Sequence, residues 1–455
     1  MIEKNKSYEA VIEDLTLEGS GLCRVDGFAV FVPMTAVGDR IRFKAVKVQK
    51  NLAYGLLEQI ITPSPVRQKS DCPVFRQCGG CAFRHITYEE ELRLKEKAVR
   101  DAFCRLGGFS LEPEPILGCP EQNHYRNKAQ YPLGLDKNGH AIAGFYARRS
   151  HRIVPADGCL LQDETFGPVV RTVLGLIDRY RIPVYDEETG RGMLRHLFLR
   201  RGPTSGEMMA CLVSTTRKVP YLDEICQALT AAFPEIVSIV LNIKAEHTNV
   251  ILGRNTVTVW GKDTIDATLL DVKLSIAPAA FYQVNSPQAE RLYRLGYEYA
   301  GFRGNERLLD LYCGIGSIGL GAYRQVNSLV GVEVIQPAVD AARKNAAQNG
   351  MERAEFFCAD AGEAAHRLAD RGETPDIIIV DPPRKGCDQQ VIDSIVRMSP
   401  ERVVMISCTP ATAARDAKLL CAQGYELKKY RGVDMFPRTG HVETVALLEK
   451  AILKG

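Results

Sequence analysis

Strand-like apolar runs alternate with segments of helical period through the last third of the chain. Ser286 and Pro287 provide a helix start ahead of this alternation, because serine caps a helix and proline suits its first turn. Alternating strands and helices predict a doubly wound α/β sheet. We place its strands in RLLDLY (307–312), SLVGVE (328–333), AEFFCAD (354–360), DIIIVD (376–381) and VVMIS (403–407).

The first 62 residues have a different pattern, with short strands, turn glycines and no long helical period. This pattern predicts a small β-barrel. Within it, Arg40, Arg42 and Lys44 alternate with apolar residues, so a strand would place all three charges on one face. That face is either a solvated strand surface or a surface that tracks the phosphates of an oligonucleotide.

The central region is predicted to be mixed α+β. Residues 62–67 are a plausible linker, residues 88–108 have a helical pattern, and residues 124–152 resemble a β-hairpin whose turn is Asn138-Gly139. The hairpin interleaves basic and aromatic residues, which suits single-stranded RNA because phosphates need charge and unstacked bases need aromatic faces. An ordinary amphipathic hairpin is the alternative.

Composition narrows the class of protein. The chain has 455 residues, 45% hydrophobic and 25% charged, which indicates a globular protein of two or three domains. A net charge of +3 does not by itself indicate a nucleic-acid partner. The N-terminus lacks the apolar core of a signal peptide, and no run of 18 apolar residues occurs. We therefore expect a cytoplasmic protein that does not span a membrane.

Fourteen cysteines without a secretion signal predict core residues, metal ligands or nucleophiles in a reducing compartment rather than a disulfide framework. Cys72, Cys78 and Cys81 bring three thiols into ten residues. From this spacing, a structural zinc ion and an iron–sulfur cluster are equal alternatives, and either needs a fourth ligand. The candidates for that ligand are Cys104, Cys119 and Cys159.

A glycine-rich turn follows the first strand of the predicted sheet. Gly314, Gly316 and Gly319 form G-x-G-x-x-G between a strand and a helix, and Glu333 ends the next strand 19 residues beyond Gly314. Close backbone approach and a carboxylate for ribose hydroxyls suit NAD and S-adenosylmethionine equally. Downstream, Asp381 opens Asp-Pro-Pro-Arg at a strand end, which looks like the Asp-Pro-Pro group of nucleic-acid methyltransferases.

Two further residues indicate a specific chemistry at the same edge. Cys408 ends the strand after Asp381, and Glu443 precedes another strand near the C-terminus. A thiolate that adds to C6 of uracil makes C5 nucleophilic, and a base must then remove the C5 proton. Cys408 is the predicted nucleophile and Glu443 the predicted base. The last 30 residues are predicted to form an antiparallel pair that closes the parallel sheet, as in methyltransferases.

With these motifs the chain resembles the RNA uracil-5 methyltransferases, in the branch with an N-terminal TRAM barrel that acts on 23S ribosomal RNA. The resemblance spans essentially the whole chain and is carried by PAAFYQVN (278–285), DLYCGIGSIGL (310–320), DPPRKG (381–386), SCTPATAARD (407–416) and FPRTGHVET (436–444). Two positions depart from it: Ser317 and Thr409 each stand where asparagine is frequent. The resemblance implies that the donor and base pocket is lined by Gln283, Tyr312, Gly314, Gly316, Glu333, Asp360 and Asp381.

The same resemblance implies a [4Fe–4S] cluster with Cys159 as its fourth ligand, leaving Cys104 and Cys119 in the core. The expected domains are a TRAM barrel (1–62), a central α+β domain with the cysteine cluster (68–275) and a Rossmann-like methyltransferase domain (276–455). The expected protein is a monomer that methylates uracil C5 in 23S ribosomal RNA. The alternatives are a transfer-RNA uracil-5 methyltransferase, an NAD-binding iron–sulfur oxidoreductase and a non-catalytic RNA-binding module.

Overall fold

The computed structural model describes residues 2–248, 250–372 and 374–451 of the chain. Its N-terminal part is a six-stranded sheet in the order β1-β5-β6-β4-β3-β2. Alternation along β5 buries Ile41, Phe43 and Ala45 completely and leaves Arg40 and Arg42 exposed, as predicted. The strands are β1 (Ser7–Val11), β2 (Asp14–Leu15), β3 (Ser20–Val25), β4 (Phe28–Pro33), β5 (Arg40–Val48) and β6 (Leu52–Thr62).

The central region builds a seven-stranded mixed sheet in the order β10-β9-β8-β11-β12-β13-β14. Helices α2 and α3 contribute to one apolar core with its strands. The helices are α1 (Tyr88–Ala102), which runs into a π-helical turn (Phe103–Gly107), α2 (Phe166–Tyr180) and α3 (Leu222–Ala232). The strands are β8 (Lys128–Leu135), β9 (Ala141–Tyr146), β10 (Ile153–Pro155), β11 (Leu194–Arg201), β12 (Met208–Ser214), β13 (Ile236–Ile243) and β14 (Asn255–Gly261).

The predicted hairpin is confirmed as the antiparallel pair β8 and β9. Its turn is stabilised by Asp136, whose Oδ1 accepts from the backbone N–H groups of Asn138 at 2.8 Å and His140 at 2.9 Å. Gly139 has a φ of +84°, a left-handed conformation that glycine adopts without steric cost. The Asn-Gly signal therefore marked the turn correctly.

The C-terminal part is an eight-stranded sheet in the order β19-β18-β17-β20-β21-β23-β22-β7. Five central strands are parallel, and β23 and β22 run antiparallel at one side, as predicted for a methyltransferase-like sheet. The α/β fold class with a Rossmann-like C-terminal part is confirmed. The strands are β17 (Arg307–Leu311), β18 (Ser328–Glu333), β19 (Ala354–Cys358), β20 (Ile377–Val380), β21 (Arg402–Ser407), β22 (Tyr425–Val433) and β23 (Glu443–Lys450).

Helices cover both faces of this sheet and position its edge residues. The first of these helices begins at Ser286, as predicted. Its cap is Asn285 rather than the serine, and the Asn285 side chain accepts from the N–H of Gln288 at 3.3 Å. A short 3-10 turn, Tyr323–Gln325, follows the second helix. The helices are α4 (Ser286–Ala300), α5 (Ser317–Ala322), α6 (Gln336–Gln348), α7 (Ala361–Asp370), α8 (Gln389–Met398) and α9 (Pro410–Cys421).

Two segments outside the predicted methyltransferase range pack with this sheet. Strand β7 (Glu114–Leu117) pairs parallel to β22 at the sheet edge. The hairpin of β15 (Ile265–Leu269) and β16 (Val272–Ile276) belongs to the same apolar core as α4. The domain boundaries at residues 62, 68 and 276 stay a prediction. Both segments pack across the boundary at residue 276. Within the described residues, no helix is both long enough and apolar enough to cross a membrane.

The cysteines outside the proposed sites follow the prediction in most cases. Cys119 and Cys313 are buried, as expected for core residues. Cys104 is exposed in the π-helical turn after α1, so its placement in the core was wrong. Cys358, at the end of β19, is exposed as well. Burial raises the pKa of the Cys313 thiol.

Candidate active site

The carboxyl edge of the C-terminal sheet collects the predicted site residues. Glu333 is the last residue of β18, Asp381 follows β20, and Cys408 follows β21. Because parallel strands point their carboxyl ends to one edge, three residues that are distant in sequence meet there. Glu443 reaches the same edge from the opposite direction, since it is the first residue of antiparallel β23.

The glycine-rich turn follows β17 and is shaped by positive φ angles. Tyr312, Gly314 and Gly316 have φ values of +68°, +55° and +84°. A Cβ atom on Gly314 would meet nothing within 4 Å, so the backbone there faces open space. The backbone N–H of Gly314 donates to Glu333 Oε2 at 3.1 Å, and that of Ile335 donates to Oε1 at 3.0 Å. The turn thus fixes the carboxylate that the spacing predicted for ribose hydroxyls.

Next to this turn lies a buried polar layer. Tyr293 is 1% exposed and lies beside Ser317 and Gln283; burial raises the pKa of its hydroxyl, while these two side chains lower it. Ser317, one of the two positions that depart from the family motifs, therefore lies near a protein hydroxyl. Asp360 accepts from the N–H of Gly362 at 2.9 Å at the start of α7.

Asp310 was not predicted as a site residue, although it lies within the DLYCGIGSIGL motif. It is fully buried, and its Oδ2 accepts from the N–H of Gly319 at 2.8 Å. Burial, with the nearby Asp381 and Glu333 carboxylates, raises its pKa to about 8 against the opposing effect of that hydrogen bond. Asp310 thus stabilises the end of the glycine-rich motif through this hydrogen bond. With this pKa, it is mostly protonated near neutral pH.

The electrostatics around Cys408 favour protonated groups. Burial raises the pKa of Glu443 to about 8, Asp381 adds to the effect and Arg384 opposes it. Burial raises the pKa of Asp381 to about 7. The pKa of Cys408 is raised by burial and by Glu443 and Asp381, while Thr409 and Arg384 lower it. Because each of these groups affects the pKa of another, the thiol, both carboxyl groups and the guanidinium lie near one another.

The turn that carries Cys408 is held by its neighbours. Ser407 Oγ lies 3.2 Å from both the N–H and the carbonyl oxygen of Thr409, and Pro410 begins α9. Thr409 Oγ1 lies 3.8 Å from the sulfur of Cys408. Thr409 is the second position that departs from the family motifs, and its hydroxyl therefore faces the thiol. The ring of His441 lies edge-on to that of Phe436, with centroids 6.1 Å apart.

The four cysteines of the predicted cluster line one cavity of about 500 Å³. The cysteine-rich segment reaches the hairpin, because Gly79 N–H donates to the Tyr146 carbonyl at 3.0 Å. Thr439 and His441, which precede Glu443, form another part of the cavity wall. The thiols that belong to it are Cys72, Cys78, Cys81 and Cys159, whereas Cys104 and Cys119 are not among its lining residues.

These thiols are not arranged for a single metal ion. In the ranges that the structure describes, no group of three or more His, Cys, Asp or Glu side chains is close enough to hold one. A structural zinc ion draws four sulfurs to about 2.3 Å from one centre. The cavity that the four thiols line, at about 500 Å³, is larger than one ion requires.

A second, larger concavity lies between the N-terminal sheet and the cysteine-rich segment. This groove has a volume of about 1340 Å³ and includes Lys47, Lys69, Arg76 and Arg149. Among the described residues, none of these four cations has an ion-pair partner, and Lys47 Nζ lies 5.9 Å from the ring centroid of Tyr54. Small-molecule pockets usually measure about 300–1,000 Å³, so the groove suits a longer ligand.

The basic face predicted from the sequence lies elsewhere on the same sheet. Arg40 and Arg42 both pair with Glu9, at 3.3 and 2.8 Å, because β1 lies beside β5. Their charge is thus partly neutralised by a neighbour that the local pattern did not reveal. The unpaired cations of the groove offer a stronger phosphate-binding surface.

Comparisons with known proteins agree with this geometry. The family model described as tRNA (Uracil-5-)-methyltransferase matches residues 205–451. RNA methyltransferases from Halalkalibacterium halodurans and Bacillus cereus are 42% and 41% identical over 449 residues, covering 98% of each chain. The crystal structure of Pyrococcus abyssi tRNA (uracil-54, C5)-methyltransferase with S-adenosyl-L-homocysteine has a TM-score of 0.78 and 29% identity. It covers 97% of this chain and 99% of that one.

The raised pKa of Cys408 predicts slow alkylation by iodoacetamide at neutral pH, with a rate that increases about tenfold per pH unit, because only the thiolate reacts. Above pH 8, where Glu443 is largely ionised, Glu443→Gln is expected to increase the rate severalfold, since it removes a carboxylate that raises the thiol pKa. Mass spectrometry of the tryptic peptide 403–415 isolates Cys408.

Cys421 serves as the internal control, because it is also half-buried and its pKa is also raised by burial. Its peptide should alkylate at the same rate in both proteins. Equal rates at Cys408 above pH 8 in the wild type and the Glu443→Gln variant would contradict the electrostatic effect of Glu443 on this thiol.

Proposed function

The chain belongs to the family of RNA (uracil-5-)-methyltransferases, and we propose that it methylates uracil C5 in 23S ribosomal RNA through a covalent adduct of Cys408. The observation that carries the mechanism is the meeting of Cys408, Asp381 and Glu443 at one sheet edge beside the glycine-rich turn. Methyl transfer to an exocyclic amine would need neither the thiol nor the second carboxylate.

Cys408 begins the proposed reaction. Its thiolate adds to C6 of the target uracil, and the electron pair of the C5–C6 double bond moves toward the C4 carbonyl, giving an enolate. C5 then attacks the methyl group of S-adenosylmethionine, and S-adenosylhomocysteine leaves. In the free protein the thiol holds its proton, because burial and two carboxyl groups raise its pKa. Arg384, which lowers that pKa, favours the thiolate.

Glu443 completes the reaction. It removes the proton from C5, and the electron pair that is released re-forms the C5–C6 double bond as the Cys408 sulfur leaves C6. Its buried position raises its pKa to about 8, which makes its ionised form a stronger base than an exposed glutamate. The target uridine must leave its stack to reach this edge, at a cost of a few kcal/mol that contacts in the site offset.

The methyl donor is S-adenosylmethionine, in line with the family and with the S-adenosyl-L-homocysteine held by the Pyrococcus structure. Glu333, oriented by two backbone N–H groups, is proposed to bind the ribose hydroxyls. Val334 and Ile335 are 61% and 58% exposed directly after it, and they suit the adenine face. The other proposed donor and base contacts are Gln283, Tyr312, Gly314, Gly316, Asp360 and Asp381.

We further propose that Cys72, Cys78, Cys81 and Cys159 hold a [4Fe–4S] cluster. The support is that these four thiols line one cavity of about 500 Å³. Thiolates are the ligands that such clusters use. The cluster would join the cysteine-rich segment to the hairpin and to residues 439–441, and no step of the methyl transfer passes through it.

Transfer RNA is the second candidate substrate. The match to the Pyrococcus enzyme, which is named for uracil-54 of tRNA, covers 97% of this chain. Because this match is nearly full-length, the N-terminal sheet alone does not favour ribosomal RNA over transfer RNA. Methylation of 23S ribosomal RNA and of transfer RNA fragments, assayed side by side with labelled donor, distinguishes them.

Substrate RNA that contains 5-fluorouridine should trap the covalent adduct, because fluorine at C5 cannot leave as a proton. We expect a stable protein–RNA complex with the wild type plus donor and none with Cys408→Ala. With ordinary RNA, Glu443→Gln should methylate and then release product slowly. Denaturing gel electrophoresis measures each complex.

Cys421→Ala is the matched control, since it removes a half-buried thiol away from the proposed site, and it should trap RNA like the wild type. Methylation of the correct RNA without any trapped complex would rule out the thiol mechanism.

Release of the methylated product should depend on pH through Glu443, whose ionised form is the base. With a pKa of about 8, the ionised fraction and hence the release rate should rise roughly tenfold from pH 6 to 7 and level off above pH 8. Single-turnover kinetics measures this phase. A flat profile in the wild type, identical to that of Glu443→Gln, would contradict the assignment of the base.

The groove predicts the salt dependence of RNA binding. The double variant Lys47→Ala/Arg149→Ala should bind RNA more weakly. The slope of log K against log salt should become shallower by about 1.4, because each phosphate contact on a single strand contributes about 0.7. Arg40→Ala/Arg42→Ala is the control, because both of these arginines pair with Glu9. Equal slopes for the two double variants would remove the groove from the binding surface.

A further inference from the structure

Residues 434–441, here called the base loop, lead from β22 to Glu443. Four successive carbonyl groups of this loop accept hydrogen bonds from four different parts of the chain. The donors are Asn285 Nδ2 to Met435 at 3.0 Å, Lys95 Nζ to Phe436 at 3.2 Å, Tyr125 OH to Pro437 at 3.0 Å and Ala82 N–H to Arg438 at 2.8 Å. The loop is therefore fixed along its length rather than at its ends alone.

Lys95 is the centre of this arrangement. The side chain is 0% exposed, and its Nζ donates to Glu91 Oε1 at 2.8 Å and to Asp434 Oδ1 at 2.7 Å in addition to Phe436. Three ammonium protons thus meet three acceptors. A buried charge is tolerated only when it is paired and hydrogen-bonded, so the position of Nζ dictates where both carboxylates lie.

The two carboxylates pass this constraint on to the loop. Asp434 Oδ2 accepts from Tyr88 OH at 2.6 Å. Glu91 Oε1 also accepts from the backbone N–H of Arg438 at 2.7 Å, and Glu91 Oε2 lies 3.6 Å from Arg438 Nη1. Arg438 has a φ of +68°, a left-handed conformation that costs a side-chain residue energy and persists only where its surroundings hold it. Glu91 holds that bend.

A role in stability alone is the simpler explanation of such a network. Replacing a buried ion group by apolar residues is often neutral or stabilising, however, whereas polar networks specify one geometry. This network fixes a strained bend five residues before the proposed base. A base acts only within hydrogen-bond reach of its proton, and a shift of about 1 Å can cost ~100-fold in rate.

We propose that Lys95, with Glu91 and Asp434, is a positioning group for Glu443, fixing the base loop so that the carboxylate reaches the C5 proton of the methylated adduct. The inference rests on the proposed function in assigning Glu443 as the base. It assigns Lys95 no contact with RNA or donor, because the side chain has no exposed surface. Disturbing the network should therefore slow proton removal and leave methyl transfer intact.

The test follows both steps in single-turnover reactions with Lys95→Met and with the milder Tyr88→Phe, which deletes one hydroxyl donor to Asp434. We expect release of the methylated product to slow about 10- to 100-fold in Lys95→Met, with methyl transfer changed less than about twofold. Tyr88→Phe should show a smaller effect of the same kind. In a Glu443→Gln background, Lys95→Met should slow release no further, because the base is already absent.

Arg402→Met is the matched control, since Arg402 is a buried cation that pairs with Glu306 at 3.4 Å and begins the strand that Cys408 follows, at its opposite end. It should leave the ratio of release to methyl transfer unchanged. A Lys95→Met protein in which both steps fall together, in proportion to its folded fraction, would overturn the proposal. So would additive slowing in the Glu443→Gln background.

Amide hydrogen exchange separates this inference from the proposed function. Residues 435–443 should exchange faster in Lys95→Met and Tyr88→Phe than in the wild type and in Arg402→Met. If Glu443→Gln releases product at the wild-type rate, the base assignment fails, and faster exchange in that case still supports the fixing of the loop. Unchanged exchange in both network variants would overturn the proposal.

Discussion

The site depends on the ion pairs made by a lysine that has no contact with water. Lys95 belongs to α1, yet one of its carboxylate partners is Asp434, 339 residues further along the chain. Burying an unpaired ammonium costs several kcal/mol, so α1 takes this position only when the end of β22 is already beside it. Residues that pack against α1 are thereby tied to the C-terminal sheet. Strand β7 reinforces the tie, since it adds a central segment to the edge of that sheet.

This constraint explains why the residues of the site come from so many parts of the sequence. The base loop contacts the segment after Cys81, the segment that leads into β8 and the residue that caps α4. Its last residues form part of the wall of the cysteine cavity. The cavity and the sheet edge are thus joined by a short stretch of backbone that has little freedom to move. A group bound by the four cysteines would stabilise the same stretch from its other side.

The sequence predicted the sheet edge well, because parallel strands and their periodicity are local signals. Glu333, Asp381 and Cys408 each end or follow a strand, and their meeting follows from topology alone. Contacts between distant segments left no such signal. Arg40 and Arg42 were interpreted as a free basic face because the pairing of Glu9 with them depends on how β1 lies beside β5. Glu91 and Lys95 are four residues apart on a helix, which is the spacing of an ordinary surface ion pair. Only tertiary packing shows that both are fully buried.

The balance of charge at the edge has its own consequence for catalysis. With a pKa of about 8 for Glu443 and a raised pKa for Cys408, both groups are largely protonated near neutral pH, whereas Asp381, with a pKa of about 7, is about half ionised. A site of three anions would repel the phosphates of RNA, whereas protonated groups beside Arg384 do not. The same burial that withholds the charge makes each group, once ionised, a stronger nucleophile or base. Substrate binding and catalysis therefore place opposite demands on these groups, because binding favours their neutral forms and catalysis requires the ionised ones.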